Sequence, residues 1–267
     1  MPYLLSSTAH GNREHLESRA LAMGDGPQLR DFRAQASEAA MGTAIWAFKL
    51  RIFDKLGRIA SAREISEHHP KRPATTPAQE WYVTSQGRHY AMRKAFEDYW
   101  TDGEKAVYFA LLLDGLAPAG YGPYTLIVDP QHCPRPDVAC FPGNTAERYA
   151  PTGVLDTALC RAEIAPWDSR GSLLAMKHGT NLSPLAAQWP TMVCNEDDFS
   201  EAVAIGVLPL DAIREVRVDE ASHRRWRKLR VQKLNGVPLS EDEQIQVGML
   251  DLLSSWKDRF GTPIVAV

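Results

Sequence analysis

Long apolar runs are missing from this chain of 267 residues. Nowhere do about eighteen apolar residues follow one another without a charge, so no membrane-spanning helix is expected. The opening residues, Met1-Pro2-Tyr3-Leu4-Leu5-Ser6-Ser7-Thr8, have neither a basic lead nor a long apolar stretch, and they do not read as a secretory leader. Cysteine is scarce: Cys133, Cys140, Cys160 and Cys194, with no Cys-x-x-Cys pair. That excludes a disulfide scaffold, and the expected setting is a reducing, bacterial cytoplasm with mostly core thiols. His132 beside Cys133, with Cys140 further on and His68-His69 in a loop, has no zinc-ligand spacing, so no metal is expected. Walker A, Gly-x-Gly-x-x-Gly and Gly-x-Ser-x-Gly patterns are absent too, which removes the common phosphate-loop, dinucleotide and serine-hydrolase signatures. The formal charge is −3. Without an overall basic excess, nucleic acid as main partner rests on local patches alone. There is no internal repeat and no low-complexity segment.

What is present is the composition of a folded protein, 44% apolar and 24% charged. The element order favours one α+β domain over 1–267. Residues 3–8 read as a first strand, closed by a turn at His10-Gly11-Asn12. Residues 14–23 fit a helix with Leu16, Ala20 and Met23 on one face. Residues 28–56 are apolar nearly all round toward their end, as in a buried helix or two helices joined near Gly42, with Gly57 as C-terminal cap. Ser61 and Glu64 have capping-box spacing, Thr76-Pro77 opens another helix, and 104–116 reads as a further apolar helix. The block 28–116 is therefore mainly helical. After the Gly- and Pro-rich 117–123 the signal becomes short strands at 124–128, 159–165, 172–177, 191–194, 201–205 and 214–218. Five prolines mark 129–153 as a long surface loop. Helices return over 219–260, and 261–267 is a candidate last strand. The expectation is a mixed or antiparallel split sheet, with a helical block inserted after the first strand and C-terminal helices.

One stretch organises the rest. Asp198-Phe199-Ser200-Glu201 leads into Ala202-Val203-Ala204-Ile205, a Gly206-Val207-Leu208-Pro209 turn, a single helical turn, and a second strand ending Val216-Arg217-Val218. Glu201, a carboxylate at the mouth of an apolar strand, is the candidate catalytic residue. The same pattern also suits an edge strand whose first carboxylate is simply solvated.

This segment resembles the C-terminal catalytic segment of ADP-ribosyltransferase-like proteins, in which a glutamate is followed by an apolar strand, a Pro turn and a last strand. The resemblance implies NAD as substrate. Glu201 would hydrogen-bond the nicotinamide ribose and stabilise the positive charge that develops as nicotinamide leaves. Ser7-Thr8-Ala9-His10-Gly11-Asn12 looks like a degenerate form of the family's His-Gly-Thr entry, which implies His10, Gly11 and Asn12 against the adenosine ribose and diphosphate. Tyr121 or Tyr124, beside a glycine turn, would stack on nicotinamide. Tyr82-Val83-Thr84-Ser85 is the nearest match to the family's middle segment, although it falls in an expected helix. His178-Gly179-Thr180 has the letters of the entry motif but stands too near Glu201 in the chain. A protein or nucleic-acid acceptor and a toxin or effector role follow from the resemblance alone.

The segment 222–233 holds six Arg or Lys and one Trp. Arg224, Arg225, Trp226, Arg227 and Lys228 form a candidate nucleic-acid or anion surface, with Trp226 stacking on a base. The alternative is a solvated helix whose Trp226 and Leu229 pack on the core. Arg63 and His68 have the Arg-x4-His spacing that resembles HEPN ribonucleases, and Arg217 with His223 gives a similar spacing. Two readings therefore stand beside the NAD enzyme: a nuclease or nucleic-acid-binding module without NAD, and a non-catalytic protein whose helical block docks a partner.

Overall fold

Strands with apolar residues on both sides need cover on both faces, and this chain supplies it with helices. The computed structural model describes residues 3–132 and 137–267. Three helices lead, α1 (Leu5–Gly11), α2 (Arg13–Ala22) and α3 (Pro27–Ser37). Strand β1 (Ala40–Ile45), helix α4 (Ala47–Leu56), the short β2 (Arg58–Ile59) and helices α5 (Ala62–Glu67), α6 (Ala78–Gln86) and α7 (His89–Glu97) follow. Next come β3 (Ala106–Leu112), β4 (Tyr124–Val128), β5 (Asp137–Phe141), α8 (Thr145–Tyr149), α9 (Thr157–Glu163), β6 (Ala165–Pro166), α10 (Arg170–His178) and α11 (Trp189–Val193). The chain ends with β7 (Glu201–Ile205), β8 (Leu208–Pro209), β9 (Ile213–Val218), α12 (Glu220–Leu234), α13 (Glu241–Phe260) and β10 (Ile264–Ala266). The fold is α+β, as expected. Its main sheet is eight-stranded, in the order β10-β9-β4-β1-β3-β7-β5-β6, and antiparallel except where β10 joins β9. Strands β2 and β8 pair separately.

The sheet is split at its centre. Strands β1 and β3 pair only where Ala40, Met41 and Gly42 face Leu112, Leu111 and Ala110. Beyond that they part company. Thr43, Ala44 and Ile45 stay paired with β4, while Phe109 back to Ala106 stay paired with β7. Gly42 stands where the strands diverge, and a Cβ there would lie 2.2 Å from Leu112 Cδ1. Glycine there leaves the Leu112 side chain its place against β1.

One face of the sheet carries the main core. Met41, Leu126, Phe109, Ala202 and Ala204 pack there with Phe32, Trp226, Leu253 and Trp256 from the flanking helices. The other face has two smaller clusters. One is built on Val203, Phe141, Leu5 and Phe96, the other on Ala110, Leu112, Ile127 and Phe199. Glu201 and Tyr108 lie on this second face.

Several expectations are corrected. Residues 3–8 are not a strand: Tyr3 makes one bridge to Trp100, and the chain then turns helical because Asp137 accepts from the Leu5 and Ser6 amides. Three helices precede β1, so no block is inserted after a first strand. The stretch 28–116 itself carries β1, β2 and β3. Residues 40–45 and 106–112 are apolar on both sides because they are central strands, a pattern that a buried helix shares. Residues 159–165, 172–177 and 191–194 belong to or border helices α9, α10 and α11. Asp156 fixes the first of these by accepting from Leu159 N at 2.9 Å. Helix α10 packs so tightly on α3 that a Cβ at Gly171 would sit 2.1 Å from Ser37 Oγ. The expected loop 129–153 contains β5 and α8, and Cys133 lies outside the described residues. Thr76 does not cap the next helix, which begins at Ala78 with Pro77 at its cap position, but other local signals hold. Gly57 ends α4 at φ +68°, and a capping box opens α5 at Ser61/Glu64; the structure adds a second, at Ser240/Glu243, that opens α13. No helix among the described residues is long and apolar enough to cross a membrane.

Trp256 ties the C-terminal helix to this core. Its ring is fully buried and its Nε1 donates to Asp54 Oδ1 at 2.9 Å. Trp256→Ala should cost about 3–5 kcal/mol, read as a lower urea midpoint. A loss no larger than that of an exposed change such as Arg227→Ala would show that α13 is not part of the cooperative unit.

Candidate active site

Glu201 opens β7, but not at a sheet edge. It pairs with Ala110 of β3 on one side and Phe141 of β5 on the other, and it is only 5% exposed. The solvated edge-strand alternative is therefore wrong. Its Oε2 accepts from Thr145 N at 2.8 Å and from Thr145 Oγ1 at 2.7 Å. Thr145 is held in turn by Asn144, which caps α8 by accepting from the Ala146 and Glu147 amides. Oε1 has no hydrogen-bond donor among the described residues, and Glu201 lines a cavity. Burial raises the Glu201 carboxyl above the usual range. The Thr145 hydrogen bonds and the Arg93 charge oppose that rise, and the Glu147 charge adds to it.

The cavity, about 410 Å³, occupies the split. Consecutive residues 42–45 of β1 and 107–110 of β3 all line it. Alternate side chains of a strand point to opposite faces, so a full run from each strand is accessible only where the two have separated. Two cations reach in, Lys49 from α4 and Arg93 from α7. Neither forms an ion pair with a described carboxylate. Arg93 Cζ stands 4.4 Å from the Tyr108 ring centroid, and its Nε is buried without a hydrogen-bond partner. Burial opposes the Arg93 charge, but Tyr108, Tyr82, Glu97 and Glu201 around it raise its pKa on balance. Burial, then the Arg93 charge, lowers the pKa of Lys49. Tyr108 hydroxyl donates to Glu97 Oε1 at 2.9 Å. Burial pushes Glu97 up to about 7 against the pull of Arg93 and this hydrogen bond. Phe48 and His69, with ring centroids 4.7 Å apart, are also part of the wall.

Tyr121 forms the lip. It is 47% exposed and meets Phe199 edge-on at 6.2 Å. The turn that carries it rests directly on the end of β1: at Gly122, φ +137°, a Cβ would lie 2.1 Å from the Ile45 carbonyl carbon. Of the residues proposed from sequence, Glu201 and Tyr121 thus come together. Tyr124 does not join them, because it is buried on the other face, stacked on Trp226 at 5.0 Å. That stacking also withdraws Trp226 from any base, since the indole is 3% exposed. His10, Gly11 and Asn12 stand beside the segment that enters the edge strand β6, two strands away from β7. His10 Nδ1 contacts Ser6 O at 2.7 Å, and Asn12 Nδ2 donates to Ala162 O and Ile164 O. None of the three lines the cavity. His178 is buried edge-on against Phe32.

No family model, curated protein or solved structure matches this chain. The site therefore rests on its own geometry. Among the described residues, no group of three His, Cys, Asp or Glu side chains is placed to hold a metal ion. Arg224, Arg225, Arg227 and Lys228 are exposed on α12, where Arg224 pairs with Glu220 at 3.1 Å. Sequence reading missed Lys49, Arg93, Glu97, Tyr108 and Thr145. A signal existed for two of them, since Arg93 and Glu97 have the i, i+4 spacing of a helical charge pair. Asn144 and Glu147 likewise have cap spacing before a short helix.

Glu97 makes stability depend on pH. Its folded pKa lies above its ordinary 4.5, so its contribution is full below 4.5 and is lost as pH rises through about 7. Across that window the protein should lose on the order of 3 kcal/mol relative to Glu97→Gln, which keeps an acceptor for Tyr108. Urea midpoints of both proteins over the same pH range measure this. Parallel profiles would sink it.

Proposed function

We propose that the split-sheet cleft binds NAD, and that the chain is an ADP-ribosyltransferase-like enzyme that transfers ADP-ribose to a macromolecule. One observation carries this reading. A buried carboxylate with one anchored and one free oxygen shares a cavity with two cations that lack carboxylate partners. NAD has the matching polarity, a diphosphate for the cations and a cationic nicotinamide riboside for the carboxylate. The cavity is also within the usual size of a cofactor pocket, roughly 300–1,000 Å³.

In this reading Lys49 and Arg93 hold the diphosphate. That moves the anion role from the N-terminal turn at His10 to helices α4 and α7. Glu201 faces the ribose bound to nicotinamide. As the glycosidic bond breaks and its electron pair leaves with the ring, positive charge develops on the sugar, and the free oxygen of Glu201 stabilises it. Thr145 fixes the carboxylate beforehand, so little reorganisation accompanies the step. Tyr121 and Phe199 supply aromatic surface for the nicotinamide. The second face of the sheet, with the split beside it, leaves room for this chemistry because neither small cluster fills it.

Nicotinamide release from NAD, measured for wild type and Glu201→Gln, tests the reading. Loss of about 10²–10³-fold with NAD binding retained is expected, the size seen when one charge-stabilising group is removed. Lys49→Ala should instead weaken NAD binding in calorimetry. Wild-type protein that neither binds nor cleaves NAD at millimolar concentration would overturn the proposal.

A further inference from the structure

Resting on that reading, we infer that Tyr108 is a positioning residue: by engaging Glu97 it keeps Arg93 open to the diphosphate, so that the charge on Glu97 sets how tightly the cleft grips its anion. The competitor for Arg93 is on the same helix. Glu97 follows Arg93 by four residues on α7, the spacing at which opposite charges on a helix meet. It is 8% exposed, and a carboxylate so far out of water needs a donor or a cation. Yet no Arg93–Glu97 ion pair forms among the described residues. Tyr108, on β3, engages both groups instead. Its hydroxyl donates to Glu97 Oε1 at 2.9 Å, and the face of its ring receives the Arg93 guanidinium, 4.4 Å from the centroid. Arg93 and Tyr108 both line the cleft, and Arg93 Nε is buried there without a hydrogen-bond partner. The cation is thus held in place by a ring, which leaves its hydrogen-bonding capacity for a ligand.

The surroundings hold this arrangement tightly. A Cβ at Gly103 would lie 1.9 Å from the Glu97 carbonyl oxygen, so the chain after α7 closes directly on the end of the helix. Phe96, fully buried, meets the Tyr108 ring at 6.4 Å. The charges that face Glu97 are of both signs. Arg93 and the Tyr108 hydrogen bond favour its ionised form, while burial, Asp98 and Glu104 oppose it. Tyr82 of α6 and Lys94 of α7 also feel its charge, and Lys94 is paired with Asp98. Burial prevails and pushes Glu97 up to about 7. A protonated Glu97 makes no claim on Arg93. Once ionised it adds a negative charge beside the anion site, and the Tyr108 hydroxyl is the one donor that occupies it among the described residues.

Binding of two diphosphates whose charge is constant over the range, ADP-ribose and dimethyl diphosphate, would be measured by calorimetry at about pH 5.5 and about pH 8.5, on either side of the Glu97 titration. Every protein would carry Glu201→Gln, which removes the other titrating carboxyl of the cleft; Lys49 and His69 are common to all. Tyr108→Phe keeps the ring under Arg93 and removes the hydroxyl. It should bind ADP-ribose at least about fivefold more weakly than its Tyr108 parent at the higher pH, and within about twofold of it at the lower. Adding Glu97→Gln should abolish that deficit, because glutamine has no charge to pair with Arg93. Circular dichroism checks that each variant is folded. A deficit equal at both pH values and not rescued by Glu97→Gln would mean that the hydroxyl is merely structural and would overturn the inference. So would equal binding by Tyr108→Phe and its parent at the higher pH. The second ligand separates the two proposals. If dimethyl diphosphate follows the expected pattern while ADP-ribose and NAD do not bind, only the NAD reading fails. If NAD is bound and cleaved but Tyr108→Phe has no pH-dependent deficit, the positioning role alone fails. If neither diphosphate binds at either pH, both fail.

Discussion

The brief pairing between β1 and β3 is the constraint on which the rest depends. Three facing residue pairs join the strands, and then each follows its other neighbour. Breaking a sheet in the middle exposes backbone amides and carbonyls that must be satisfied or solvated. It also opens a gap that side chains from both faces can enter. The cost is contained because β1 stays paired to β4, and β3 to β7, along the gap. Two half-sheets, each covered on the core face, thus frame a polar cleft without weakening the core.

The charges in that cleft depend on one another. Glu201 is fixed by Thr145, Arg93 lies over Tyr108, and Tyr108 donates to Glu97. Each buried charge is partly balanced, but not by a direct salt bridge. A direct Arg93–Glu201 pair would have neutralised both groups and left the cleft with little field for a ligand. Helix α7 sets this balance, because it supplies both Arg93 and Glu97.

The sequence made the end of the chain legible and its beginning obscure, for physical reasons. Strand β7 and the turn after it could be read because a short apolar run is bounded by Gly206, Pro209 and a single helical turn. The cap of α5 could be read because Ser61 and Glu64 at fixed spacing act locally. Strands β1 and β3 could not, since a strand buried on both faces has no alternation to separate it from a buried helix. His10-Gly11-Asn12 has the letters of a turn, yet Asp137, far away in sequence, nucleates a helix there by capping the Leu5 and Ser6 amides. Glu201 was found as a residue, but its burial was not, because that depends on β5 pairing from the far side. Arg93 and Lys49 looked like ordinary helix cations. Only the packing of α4 and α7 across the split turns them inward.

The contact between Gly122 and the carbonyl of Ile45 gives the cleft one immovable jaw. Backbone rests on backbone there, so the lip bearing Tyr121 has no rotamer change by which to retreat. The opposite jaw, α5 to α7 with the loops around His69, meets the sheet and α4 through side chains such as Arg93 on Tyr108 and His69 on Phe48. Gly87, at φ +53°, lets the chain turn between α6 and α7 in that jaw. The two walls of the cleft are therefore held by different means, the aromatic lip by backbone contact and the helical side by side chains alone.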